Sequence, residues 1–156
     1  MNKQIETGMS IIKKAFSILL ILDFIGFILS GIALFPTFKT MAGYGQLMMG
    51  VFIAIFIVDV AVILFEILAK IFLIRSTSPA FSWSTGRKGY ITTAKLLFLI
   101  NLAAAIIGVL SMGGEGATLI SQINSYIRLL ASVVEVIVVF CYLRMVKRLF
   151  ADAKIG

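Results

Sequence analysis

Four carboxyl side chains stand where a carboxyl group is expensive. Asp23, Asp59, Glu66 and Glu135 each fall inside a long apolar stretch, and they are four of only seven acidic residues in the chain. An ionisable residue near the middle of a bilayer costs roughly 2.5–3.5 kcal/mol on insertion scales, and such residues by default mark function. Asn101 is a fifth polar group in the same setting. A carboxyl group in hydrocarbon must hold a proton, share one, bind a cation, face water or meet a base. The chemistry open to this set is therefore the binding and exchange of a proton or a cation.

Other chemistry finds little support. The chain has no His and a single Cys, Cys141, so imidazole relays, Cys-x-x-Cys centres and an intramolecular disulfide are absent. Ser82, Ser84 and Thr85 have no His to activate them. The glycines at Gly113, Gly114 and Gly116 form no phosphate-binding motif. No nucleophile or ligand set for an enzyme is visible, no cofactor is called for, and no metal is specified. The seven Met read as adaptable packing. The last apolar stretch lacks Arg at every third position, which excludes a voltage sensor.

The elements that must carry these acids follow from composition. Of 156 residues, 61% are hydrophobic and 13% charged. A soluble domain is nearer half apolar and a quarter charged. So small a domain could not bury that much hydrocarbon, so the chain reads as one integral membrane domain over residues 1–156. Soluble enzymes, nucleic-acid-binding modules and disordered tails are excluded, and the lipid bilayer is the first partner. Four runs approach the ~20 apolar residues a helix needs to cross: Ala15 to Phe35, Leu47 to Leu68, Leu96 to Met112 and Ile127 to Leu143. Pro36 is expected to stop the first, and residues from Thr118 to lengthen the fourth. The first run is too long for a signal-peptide core and lacks an Ala-x-Ala exit, so it reads as a retained helix. The expected fold is an all-α, antiparallel four-helix membrane bundle.

Charge orients it. Lys3, Lys13 and Lys14, then Lys70, Arg75, Arg87, Lys88 and Lys95, then Arg144, Lys147, Arg148 and Lys154 fall on one side of a four-span topology. Only Lys39 and Arg128 fall on the other. By the positive-inside rule both termini are cytoplasmic. The segment from Pro36 to Gln46 reads as a tight outer turn. The segment from Arg75 to Gly89 reads as a solvated basic linker on anionic lipid, anchored by Phe81 and Trp83.

Counting from the middle of each run puts Asp23, Asp59, Asn101 and Glu135 within about 5 Å of one plane. These four are the expected cation- or proton-binding set. Helical spacing sets Asp23 on a face with Gly26, Phe27 and Ser30, and Asn101 with Ala104, Ala105 and Gly108. Glu135 shares a face with Arg128, Ala131, Ser132 and Tyr142. Such small or polar sides favour other helices over lipid, and Gly26-x-x-x-Ser30 reads as a close-packing pattern. No base is expected at the layer itself. Glu66 and Lys70 are expected to form an i,i+4 contact, and Arg128 to reach toward Glu135. The second run balances about −7 kcal/mol of apolar insertion against about +6 from its two acids, so it needs partners.

The end of the second helix from Phe65 to Ile74, the loop Pro79-Ala80-Phe81-Ser82 and the basic exit from Arg144 to Lys154 resemble a class of uncharacterised small bacterial four-helix integral membrane proteins. The resemblance implies a bacterial-type membrane protein and brings no activity or site residues. Small multidrug transporters differ, with a Glu in the first helix where Asp23 stands here. Two functions fit the residues. One is a proton- or cation-coupled transporter or channel-type subunit, in a homo-oligomer, in a bacterial or archaeal cell membrane. The other is a noncatalytic accessory, assembly or regulatory subunit whose acids meet a partner membrane subunit.

Overall fold

A computed structural model describes residues 3–43, 45–78, 81, 87–111 and 119–152. They form four helices: α1, Lys3–Ala42; α2, Gln46–Ser76; α3, Arg87–Ser111; and α4, Leu119–Asp152. All four are long and apolar enough to cross a membrane. Their aliphatic runs leave the backbone no partner but itself in lipid, which is what a helix supplies. The accessible surface is 10592 Å², against about 7,700 Å² for a compact soluble protein of this mass. The excess is apolar. Ile18, Ile28, Ile55, Ile57 and Leu130 all point outward, more than half exposed.

The helices outrun the apolar stretches that reveal them. α2 continues past Leu68 to Ser76, and α3 begins at Arg87, nine residues before Leu96. α4 is present from Leu119, the lengthening anticipated near Thr118. Pro36 does not stop the first helix, which runs through it to Ala42. Proline removes one backbone donor, and membrane helices tolerate that loss with local help from hydroxyl side chains. The carbonyl left without its donor is that of Ile32, one turn back; Thr40 Oγ1 makes a separate contact, donating to the Pro36 carbonyl at 3.0 Å. The turn between α1 and α2 is correspondingly short. It centres on Gly45, whose φ of 97° is the one positive value among the described residues. Side chains rarely adopt that conformation, which suits glycine.

α1 packs on α2 and α4, and α3 packs on α2 and α4, so the helices close a ring. Buried apolar side chains gather in one half of it. Ile5, Met9, Ile12 and Phe16 come from the first half of α1, and Ala69 and Leu73 from the second half of α2. Tyr90, Ala94 and Leu97 come from the first half of α3, and Val139, Tyr142 and Val146 from the second half of α4. Tyr142 meets Phe16 edge-on at 5.9 Å and shares a 2.7 Å hydrogen bond with Ser76 across the bundle. Phe72 stacks flat on Tyr90 at 3.8 Å. This half is a packed apolar plug. The other half is looser: a methyl group added at Gly26 would meet nothing within 4 Å. Met112, the Gly113 to Gly116 turn, Ser82, Trp83, Ser84 and Thr85 lie outside the described residues.

Candidate functional site

The plug ends at Lys70. Its side chain is wholly buried, and its Nζ donates to Asp23 Oδ2 at 2.5 Å and lies 2.7 Å from Glu135 Oε2. Three helices meet at one ammonium: α1 through Asp23, α2 through Lys70 and α4 through Glu135. α2 and α4 are not neighbours in the ring, so the long lysine stem crosses its centre. A flexible four-carbon chain carrying a compact charge can do that.

This overturns the expectation that no base stands at the layer itself. Lys70 had been placed near the membrane edge by its distance from the middle of an apolar run. Its stem instead turns inward, where two carboxylates offer more than lipid headgroups or Glu66 do. The i,i+4 contact between Glu66 and Lys70 does not form. Among the described residues Glu66 makes no hydrogen bond and no ion pair.

Arg128 also departs from expectation. It donates to Ser30 Oγ at 2.6 Å and lies 3.7 Å from Asp59 Oδ1, rather than reaching Glu135. Asp59 therefore stands level with Ser30 and Arg128, away from Asp23 and Glu135. The single expected layer is two tiers. Asp23, Glu66, Asn101 and Glu135 form the inner tier, with Lys70 at its centre. Ser30, Asp59, Gly108 and Arg128 form the outer one. In every helix the two members are seven residues apart, Asp23 with Ser30, Glu66 with Asp59, Asn101 with Gly108 and Glu135 with Arg128. Seven residues are two turns, so both members share a face and stand about 10.5 Å apart along the axis.

A cavity of about 480 Å³ spans the tiers, bordered by Asp23, Asp59, Glu66, Asn101, Arg128 and Glu135. The expected polar residues thus border one space. Leu22, Ile25, Val62, Ile63, Ile107 and Leu129 supply much of the remaining wall. Asn101 is buried, and its amide donates at 3.1 Å to the Leu97 carbonyl of its own helix. The small residues divide in role. Ser30 holds Arg128, and Gly108 lies against Leu129, where a Cβ would come within 3.1 Å of Cδ1. Gly26 and Ala104 border the cavity instead of packing tightly on a neighbour. Cys141 is exposed on the outside of the bundle.

The tiers differ electrically. In the outer tier Asp59 and Arg128 offset each other. In the inner tier Asp23, Glu66 and Glu135 face the single base Lys70. One oxygen there is stranded: Glu135 Oε1 is buried with no hydrogen-bond partner. A buried acceptor left without a donor costs about 1–3 kcal/mol. Sequence reasoning singled out Asp23 and Glu135 and ranked Lys70 and Glu66 as secondary, whereas Lys70 is the group that joins the first two. The heptad recurrence of polar residues in three of the four runs, Asp23 with Ser30, Asp59 with Glu66 and Arg128 with Glu135, was the available signal for two levels.

Fold and site together define an all-helical chain with four membrane-span-like helices around a charged internal cavity. No family model, curated protein or solved structure matches it.

Proposed function

We propose that the chain is a proton-coupled transporter or channel-type subunit in which the inner tier exchanges protons. One observation carries this reading: three inner-tier carboxyl groups face one lysine, and Glu135 Oε1 lies buried without a donor beside an open cavity. In low dielectric such an imbalance draws in protons or a cation. Lys70 is the competitor. A proton arriving on Glu135 or Asp23 weakens that group's hold on the ammonium, which then rests on the other carboxylate. A polar site near the middle of a bundle, plugged on one side and open on the other, is the arrangement alternating access uses.

In this reading the bundle is antiparallel with both termini cytoplasmic, in a bacterial or archaeal cell membrane. Lys70 and Arg128 turn inward, which leaves, among the described residues, ten basic residues on the plugged side and Lys39 on the other. That asymmetry supports the orientation. The plug then faces the cytoplasm and the cavity opens outward. The loose half, with Gly26 and Ala104 facing open space, also favours a second reading as an accessory subunit that takes a partner helix or a second copy there.

The test is proton movement in proteoliposomes carrying a pH-sensitive dye and an imposed pH gradient. Wild type should dissipate the gradient, and Glu135→Gln should not, while melting within a few degrees of wild type. A Glu135→Gln protein that moves protons as fast as wild type removes the exchange role. A wild type that moves none when alone, but does so with a co-purifying membrane subunit, favours the accessory reading.

A further inference from the structure

The cavity is larger and more apolar than proton exchange requires. Its volume, about 480 Å³, falls in the range of small-molecule sites, roughly 300–1,000 Å³. Its walls separate by depth. At the inner end lie Glu66 and Glu135; among the described residues the former makes no hydrogen bond or ion pair and the latter has Oε1 stranded. Between the tiers the wall is mainly Ile25, Phe27, Val62, Ile63 and Leu129. At the outer end Asp59 and Arg128 already satisfy each other's charge.

We infer that this space takes a protonated amine with an apolar body, its ammonium between Glu66 and Glu135 Oε1 and its hydrocarbon along the wall between the tiers. The assignment deepens the proton-exchange reading and rests on it: the amine and the proton compete for the same carboxyl groups. Three features select this class. The charge deficit lies at the inner tier alone, so the ligand is cationic and its charge sits deep. The stranded oxygen is an acceptor, so the cation must donate an N–H, which a quaternary ammonium cannot do. Among the described residues no three His, Cys, Asp or Glu side chains gather as a metal-binding group, and the apolar wall offers a hydrated metal ion no ligands. The charged groups facing the ammonium are Asp23 from α1, Asp59, Glu66 and Lys70 from α2, and Arg128 and Glu135 from α4. α3 contributes the neutral Asn101.

The experiment is equilibrium binding to the full chain in nanodiscs of zwitterionic lipid, with empty discs as baseline. Four probes share one ring system: 1-naphthylmethylammonium, its N,N,N-trimethyl analogue, 1-naphthylmethanol and 1-naphthaleneacetate. The primary ammonium should bind saturably. The trimethyl analogue should bind several-fold more weakly, and the alcohol and the carboxylate at least tenfold more weakly. Glu66→Gln and Glu135→Gln should each lose at least tenfold in affinity for the primary ammonium, and Asp59→Asn less than threefold. The assignment is overturned if the alcohol binds as well as the ammonium, if nothing binds, or if both Gln variants fold and bind as wild type. Should a variant not fold, the probe series on wild type decides. Absence of binding with proton movement intact removes the amine assignment alone. Loss of both removes the transport reading as well.

Discussion

Lys70→Met is the most informative single change to the bundle. Methionine keeps most of the lysine stem and removes the ammonium. Asp23 and Glu135 are then left facing each other at the end of the plug, each having lost a contact of 2.5 or 2.7 Å. Breaking a buried ion pair by removing one partner costs about 3–5 kcal/mol. Lys70 is wholly buried and Glu135 nearly so, so screening offers little relief. For a chain of this length, 1 kcal/mol corresponds to about 2–4 °C of melting temperature. The variant should melt about 6–20 °C below wild type. The triple change Asp23→Asn, Lys70→Met, Glu135→Gln removes all three charges and keeps the volumes. Replacing a whole buried ionic group by neutral side chains is often neutral or stabilising, so the triple variant should recover most of the loss. The assay is thermal unfolding in detergent, followed by circular dichroism. If Lys70→Met melts with wild type, the ammonium does not hold the three helices together. If the triple variant melts as low as the single one, packing rather than charge explains the loss.

Other substitutions grade the remaining contacts. Ser76 Oγ donates to the Leu73 carbonyl at 2.7 Å, so Tyr142 is the donor in their shared bond, and Tyr142→Phe, which removes it, should cost about 0.5–1.5 kcal/mol in the same melt; an unchanged melt means that the bond across the bundle adds nothing to stability. Asp59→Asn breaks a partly exposed pair at 3.7 Å and should change stability by less than about 1 kcal/mol, so a drop as large as that of Lys70→Met would place Asp59 in the inner tier. Gly45→Ala forces a side chain onto a φ of 97° and should cost about 1–3 kcal/mol, whereas Gly43→Ala in the same turn should cost less. In a Cys141→Ser background, Lys3→Cys and Ser78→Cys should label from the cytoplasm and Gly43→Cys from the opposite side; labelling of Ser78→Cys and Gly43→Cys from one side would falsify the proposed orientation.

Much of the architecture was legible because lipid imposes a coarse rule. Runs from Ala15, Leu47, Leu96 and Ile127 each mark a helix, since only helices and closed barrels satisfy a backbone in hydrocarbon. The true helix ends were not legible, because hydropathy reports where lipid lies and α2 to Ser76 continues beyond it. Pro36 misled for a related reason: its rule as a helix breaker comes from water, where freed carbonyls have an alternative. The acids were legible as a group by cost alone. Their partners were not, because register between helices is decided by packing. Measuring depth from the middle of an apolar run set Asp59 beside Asp23, whereas the packed helices set Glu66 there. Lys70 was hidden by its length, since a stem that can reach outward to headgroups can equally reach inward to carboxylates.

The division of charge among the helices has a consequence for biogenesis. α1 and α2 emerge first and already contain Asp23 and Lys70, so the first ion pair can close within a single hairpin as it leaves the translocon. Asp59 and the second contact of Lys70 must wait, because Arg128 and Glu135 both arrive on α4. α3 brings Asn101 and no charge to either tier. Docking of the last helix therefore completes both tiers in one step. Until then the hairpin of α1 and α2 holds unmet carboxyl groups, an incentive for α4 to dock.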